Sequence, residues 1–354
     1  MRFYDLQTTP VPAVNGVCST PSGTLPANGA KSLGVARQWT SFPNGKFDPQ
    51  AQDIVFDLQI SPGHIPSGGT VISVHGVSIE DLTHANNFRG SALSLYAGMS
   101  GGLPLSTAQP SPGLLINATV LGAFGNWQGT EQTLDLVINP STYTPHENPG
   151  NLVFNWQPGQ SFADAITLTM NTAFPNSTLS IHVNPALTTG QPILHFTGTA
   201  NAMAQFIYQH THAIGKREFG PNYKGVHIYY SGSKITVTDF SKSAGSVIAL
   251  KFTDLVGQPT WLEPPVLTIN TVLRADLQVG SYFTLPKRDF GGPGAVLTMP
   301  TIAGTQFDNK LNFSGTFIVT ALRALGQFRG TDADDWISVI QAVPLDTQGI
   351  PGVL

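Results

Sequence analysis

Apolar and polar residues alternate at period two through "DIVFDLQI" (53–60), "TVISVHGVSI" (70–79) and "SALSLYAG" (91–98), with Gly, Pro and Ser between them. Alternation of this kind marks strands that bury one face. "LLINATVLGAF" and "TEQTLDLVI" then flank "GNWQG", whose two glycines bracket a loop of hairpin size. From Leu114 to Ile138 this hairpin carries two charged side chains, Glu131 and Asp135. One face packs on its own core, and the other has little charge to hold water.

The period changes after "NPSTYTPHENPGN" (139–151), a Pro/Asn-rich stretch that reads as a boundary. "SFADAITLTMNTAFP" (161–175) sets Phe162, Ala165, Ile166, Thr169, Met170 and Phe174 on one helical face, with Ser161 as N-cap and Pro175 as the stop. "TANAMAQFIYQHTHAIG" (199–215) repeats the pattern through Ala202, Met203, Phe206, Ile207 and His210, and places Gly215 at the C-cap. "STLSIHV" (177–183) reads as a strand, and "GVHIYYSGSKITVTD" (225–239) as a hairpin around Ser231 and Gly232. The last third returns to strands in "SVIALKF", "VLTINTVLRAD", "SYFTLP", "AVLTMP", "SGTFIVTALRAL" and "DDWISVIQAV". The expected fold is therefore mainly β, with barrels or sandwiches at both ends and a small α+β domain between them. The expected divisions are an extended N-terminal arm (1–50), a β domain (51–142), an α+β domain with two helices (143–240) and a second β domain (241–354). The arm follows from "TPSGTLPANGAKSLG", which has too few large apolar side chains for a core.

Charge sharpens this picture. Charged residues make up 11% of the 354, against roughly 25% in an average soluble protein. No run of about 18 apolar residues occurs, so no helix is expected to span a bilayer. With 41% hydrophobic residues and a net charge of −4, the composition is that of a folded chain with a neutral surface. Between Arg89 and Lys216 there is no Lys or Arg, and the acids are Glu131, Asp135, Glu147 and Asp164. So wide a neutral surface is tolerable mainly when partners cover it. A pI near 6 argues against holding nucleic acid by phosphate neutralisation.

Candidate chemistry is thin. The single cysteine, Cys18, excludes an intramolecular disulfide or a thiolate cluster, and the N-terminal sequence has no apolar signal region, so the expected site of folding is a cytoplasm. "QHTH" places His210 and His212 at i and i+2, on different faces of a helix, whereas paired metal ligands there want i and i+4. No nucleophile elbow or P-loop is present. Asp332, Asp334 and Asp335 in "GTDADDW" have the residue type of a glycosidase pair but the spacing of a solvated turn. Trp127, Trp156, Trp261 and Trp336 could stack on sugars, yet each lies in or beside a strand pattern, where the default is core packing. No catalytic residue, cofactor or metal ligand is assigned.

Four phrases taken together resemble a family, the baseplate hub proteins of contractile-tailed bacteriophages, Mu-like and related. They are "VSIEDLTHANNFRGSALSLYAGMSGGLPL" (77–105), "GAFGNWQGTEQTLDLVI" (122–138), "DLVGQPTWLEPPVLTINTVLRADLQVGSYFTLP" (254–286) and "FSGTFIVTALRALGQFRGTDADDWISVIQAVP" (313–344). The resemblance implies a homotrimer in the virion baseplate, between a sixfold tail tube and a threefold spike, assembled in the host cytoplasm. Each chain would supply two tube-like β domains, so that three chains imitate a hexameric ring around a channel for the genome. The implied partners are further copies of this chain, the tail tube protein, the central spike protein and other baseplate proteins, with no sequence-specific nucleic acid. Residues 53–138 and a segment within 240–345 should then share a topology, although no duplicated motif is visible in the sequence. Phe124, Trp127, Glu131 and Asp135 of the neutral hairpin are the candidate interface residues. The alternative is a carbohydrate-binding or glycan-hydrolysing β protein acting at a host surface, motivated by the tryptophans and the acid cluster.

Overall fold

The structure is a computed structural model that describes residues 2–10, 34–64, 70–99, 113–139, 152–175, 177–190, 193–221, 223–231, 234–241, 246–263, 266–286 and 315–345. The chain order is β1 (Arg2–Thr9), β2 (Arg37–Thr40), β3 (Ile54–Ile60), β4 (Thr70–His75), α1 (Ile79–Thr83), β5 (Ala92–Met99), β6 (Gly113–Gln128) and β7 (Glu131–Asn139). Next come β8 (Leu152–Trp156), α2 (Phe162–Ala173), β9 (Thr178–His182), β10 (Leu194–Gly198), α3 (Ala200–Phe219), β11 (His227–Ser231) and β12 (Lys234–Thr238). The chain ends with β13 (Ile248–Ala249), β14 (Thr260–Glu263), β15 (Val266–Val272), β16 (Tyr282–Thr284), β17 (Thr316–Gln327) and β18 (Trp336–Pro344).

Thirteen strands form one sheet in the order β14-β15-β18-β17-β3-β4-β7-β6-β5-β1-β2, with β16 paired to β17 and β13 to β16. The chain is mainly β, as the alternation predicts, but among the described residues neither end closes into a barrel. The sheet passes from one β region to the other through β17 and β3, antiparallel from Leu322↔Ile60 to Gln327↔Val55. On the N-terminal side Tyr4, Leu6, Ile54, Leu95, Leu134 and Leu136 form a core, and on the C-terminal side Leu267, Phe283, Phe317, Ile318 and Ile340 form another.

The two β regions repeat one plan. The order β3-β4-β7-β6-β5 recurs as β14-β15-β18-β17-β16, every pairing antiparallel. Register repeats as well. Thr70↔Ile138 and His75↔Thr133 correspond to Leu267↔Ala342 and Val272↔Ile337. The bulge at Leu121 corresponds to the bulge at Thr320. Gly90 N–H donates to Val120 O (2.8 Å) and Val120 N–H to Ser91 O (2.9 Å), just as Gly280 donates to Val319 (2.9 Å) and Val319 to Ser281 (3.0 Å). Both glycines have positive φ, 84° and 85°, a conformation that favours glycine at the bend into β5 or β16. The repeat ends at the outermost strand, since β1 runs antiparallel to β5 and β13 parallel to β16.

Between the two modules lies an α+β body with its own core of Phe154, Trp156, Phe162, Ile166, Met170, Met203, Ile207, Ile228 and Ile235. Helix α2 begins at Ser161, whose side chain accepts from Asp164 N–H, and all six residues of its predicted apolar face are buried. Helix α3 runs one turn further than expected. Gly215 is not its C-cap but a buried interior residue, because a Cβ there would overlap the Tyr223 ring; Gly220, at φ 106°, ends the helix. Its buried face is Met203, Ala204, Ile207, Thr211, Ile214 and Gly215, and the predicted Ala202 is exposed.

Other expectations are corrected too. "TVISVHGVSI" is not one strand: Gly76 turns the chain at φ 73° and Ser78 caps α1. "GNWQ" continues β6, so the hairpin loop is only Gly129 and Thr130. "SVIALKF" supplies two strand residues. Of the residues expected as an arm, Arg2–Thr9 is a strand between β5 and β2 with Tyr4 and Leu6 wholly buried, while 11–33 lie outside the described residues. "AVLTMP" and the boundary stretch 140–151 also lie outside them.

Candidate assembly surface

The β6–β7 hairpin positions the four residues singled out from the sequence. Ala123, Leu134, Leu136 and Ile138 point into the core. Phe124 stands opposite Asp135 on the other face and is 59% exposed. Trp127, opposite Gln132 near the tip, is 62% exposed, with its indole N–H donating to Gly129 O at 2.9 Å. Glu131 is exposed at the turn. Asp135 is half-buried and accepts from Ser73 Oγ and Asn126 Nδ2, both at 2.6 Å. The carboxylate thus has hydrogen-bond partners within the sheet, and the hairpin presents two large uncovered aromatic side chains with no cation among them. Core packing, the default for strand tryptophans, holds for Trp156, Trp261 and Trp336 but not for Trp127.

This hairpin also lacks a described strand neighbour along one edge, although the backbone of α1 at Leu82 packs on Gly125. β6 pairs with β5 only from Gly113 to Thr119, after which Val120 exchanges hydrogen bonds with Gly90 and Ser91. Beyond the bulge, residues 122–128 have β7 on one side and no described strand on the other. The corresponding half of β17 has β18 on one side and β3 on the other. An open strand edge is usually blunted by charge or proline, and "GAFGNWQ" contains neither.

The other chemical candidates have structural roles. Asp332, Asp334 and Asp335 form a turn in which Asp335 accepts from Asp332 N–H at 2.7 Å, and Arg2 donates to the carbonyls of Gln327, Gly330 and Asp332 from across the sheet. Trp336 donates from its indole to Gly98 O at 2.9 Å and packs edge-on to Phe56. His210 lies against Phe206, whereas His212 stacks on Tyr208. Tyr208 stacks in turn on His64, which lies beside His227. Burial lowers the basicity of His64, His212 and His227, bringing His227 to about 3, where like-charge repulsion from His64 adds to the effect. Among the described residues no three His, Cys, Asp or Glu side chains are grouped so as to hold a metal ion. No described helix is long and apolar enough to cross a membrane.

No protein-family model and no curated protein matches the sequence. Solved structures do match it over most of its length, and they include tail proteins. One is the 43 kDa tail protein of prophage MuSo2 from Shewanella oneidensis, at 8% identity, covering all of both chains with a TM-score of 0.46. Another is a tail protein from Neisseria meningitidis, at 10% identity over 87% of this chain and 95% of that one, TM-score 0.45. A third is an Escherichia coli component of the type VI secretion system, described as structurally similar to the T4 bacteriophage tail proteins gp27 and gp5. It is 8% identical over 84% of this chain and 74% of its own, TM-score 0.46.

Proposed function

We propose that this chain is a structural, non-enzymatic component of a phage tail baseplate. Three copies form a hub ring in the virion, joining the tail tube to the central spike around a channel for the genome. The observation that carries this reading is the repeated β module. A chain with two modules of one topology and register presents six alike modules when three copies assemble, which is what a joint between sixfold and threefold partners requires. The hub-like phrases fall on both modules, 77–138 on the first and 254–344 on the second. The span from Arg89 to Lys216 without Lys or Arg suits surfaces covered on assembly. In this reading residues 51–142 and 241–354 are the tube-like domains, 143–240 is the domain inserted between them, and Phe124, Trp127, Glu131 and Asp135 lie at or beside an interface. The partners are further copies of this chain, the tube protein, the spike and neighbouring baseplate proteins.

The native mass of the isolated oligomer tests this. Three copies support a hub; six indicate a tube ring. A monodisperse monomer at high concentration, with baseplates that assemble without this chain, overturns the assembly reading. No observation favours the carbohydrate alternative, because the acid cluster builds a turn and three of its four candidate tryptophans are core residues. Glycan binding that disappears on Asp334→Ala or Asp335→Ala would revive it.

A further inference from the structure

The repeat allows the missing neighbour of β6 to be identified. Within the chain, the second half of β17 pairs with β3. The equivalent of that half of β17 is residues 122–128 of β6, and the equivalent of β3 is β14, the terminal strand of the sheet order. We propose that residues 122–128 of one copy pair antiparallel with β14 of the next copy, repeating between chains the joint that β17 and β3 make within one. This rests on the ring reading above and assigns its contact.

Transferring the register gives specific partners. Counted from Thr260 and Trp261, the regular pairs of β14, Arg323↔Gln59 inside the chain becomes Phe124↔Leu262 between chains, with Leu262 at the bulge of β14. Phe124 is 59% exposed and Leu262 is 58% exposed, so the pairing covers two of the most exposed large apolar side chains among the described residues with each other. Asn126 meets Thr260, a polar pair. At the next core-side position the sizes are exchanged. Gly326 lies against Phe56 inside the chain, and a Cβ there would overlap the Phe56 ring. The equivalents are Trp127, which is large and exposed, and Pro259, which is smaller than Phe56, is buried in its own chain and immediately precedes β14. At this position the bulkier residue of each joint thus lies on the opposite strand, Phe56 on β3 and Trp127 on β6. The contact is heterologous, joining two different surfaces, so it produces a ring when the rotation closes.

Cysteine cross-linking tests the register directly. In a Cys18→Ser background, which removes the single native thiol, Phe124→Cys with Leu262→Cys should link under oxidation, or with a short thiol-reactive linker, into covalent species up to the trimer. Each single variant, and Phe124→Cys combined with Leu168→Cys on the exposed face of α2, should not. Phe124→Lys alone should raise the midpoint concentration for dissociation at least about tenfold, and adding Leu262→Glu should recover much of it. A trimer by native mass that fails to link through positions 124 and 262 overturns the pairing and leaves the ring. A six-copy ring that does link supports the pairing and overturns the three-copy hub. A monomer that never links overturns both.

Discussion

In the C-terminal β module the second half of β17 has strand neighbours on both sides; among the described residues the matching half of β6 in the N-terminal module has one. The side chains follow that difference. Where β17 meets β3, the outward positions carry an Arg323–Asp57 ion pair and the inward one is Gly326, leaving room for Phe56. On β6 the same positions hold Phe124 and Trp127, both exposed. The two modules differ most where one is already joined and the other is open, so the comparison locates an assembly contact that neither module shows alone.

A second difference lies in how the modules fill the same corner, and it gives the largest expected effect. Gly76 N–H donates to Gln132 O, and Leu273 N–H donates to Trp336 O in the same way. The residue that follows is Val77 in the first module and Arg274 in the second. Val77 is buried among apolar neighbours. Arg274 pairs with the buried Asp254 at 2.9 Å and with Asp276 at 2.6 Å, which hold its guanidinium charged despite burial. Arg274→Ala leaves Asp254 as an uncompensated buried charge and should cost about 3–5 kcal/mol in chemical denaturation. Val77→Ala removes only apolar contacts and should cost about 1–2 kcal/mol. Equal losses would break the contrast between an apolar and an ionic corner.

Gly326 and Trp127 form the next pair. Gly326→Ala forces Phe56 out of place and should cost about 3 kcal/mol, at the upper end for overpacking. Trp127→Ala should change the unfolding free energy of the isolated chain by less than about 0.5 kcal/mol, because its ring is largely in solvent. Thermal or urea unfolding of dilute protein measures both.

The seam between the α+β body and the modules provides a pH test. His227 is buried beside His64, with its Nε2 near Lys224 O, while Lys224 and His212 add further repulsion to its cationic form. Its folded pKa, about 3, lies below the unfolded value, so the unfolded chain binds the proton first. The contribution of neutral His227 is complete above about pH 6.5 and is lost as pH falls toward its folded value. At pH 5 the loss should reach about 2 kcal/mol, and His227→Gln should flatten the profile. Hydrogen exchange should place the loosening at Gly63 N–H, which donates to Ile228 O in the adjacent strand.

Strand periodicity and the α2 pattern were legible because each depends on which residues point inward, a property that the sequence states directly. The repeat was hidden because pairing order and register are backbone properties that many alternating sequences satisfy. Its one textual trace is the Gly-Ser pair, Gly90-Ser91 and Gly280-Ser281, whose positive-φ bend and exchanged hydrogen bonds with Val120 and Val319 recur in both modules. Gly215 misled for a related reason. A glycine suits a helix end through its φ, but here it serves close packing against Tyr223, which becomes its neighbour only after the chain turns back. At the candidate interface, low charge and the aromatic residues were visible beforehand, while the open edge of β6 required knowing where β5 stops.

The smallest effect belongs to the ion pair at the joint inside the chain. Arg323 and Asp57 meet in bidentate fashion across β17 and β3, but both side chains are about half exposed, and water and salt screen them. Asp57→Ala should therefore cost less than about 1 kcal/mol, and the difference between variant and parent should shrink as salt is raised in urea titrations. The backbone ladder from Leu322↔Ile60 to Gln327↔Val55, together with Phe56 and Leu58 on the buried side, should hold the joint without the pair. A loss above about 2 kcal/mol would mean that the charge is essential there. The uncharged Phe124 and Leu262 edge could not then be its counterpart, and the likeness between the two joints would fail at its center.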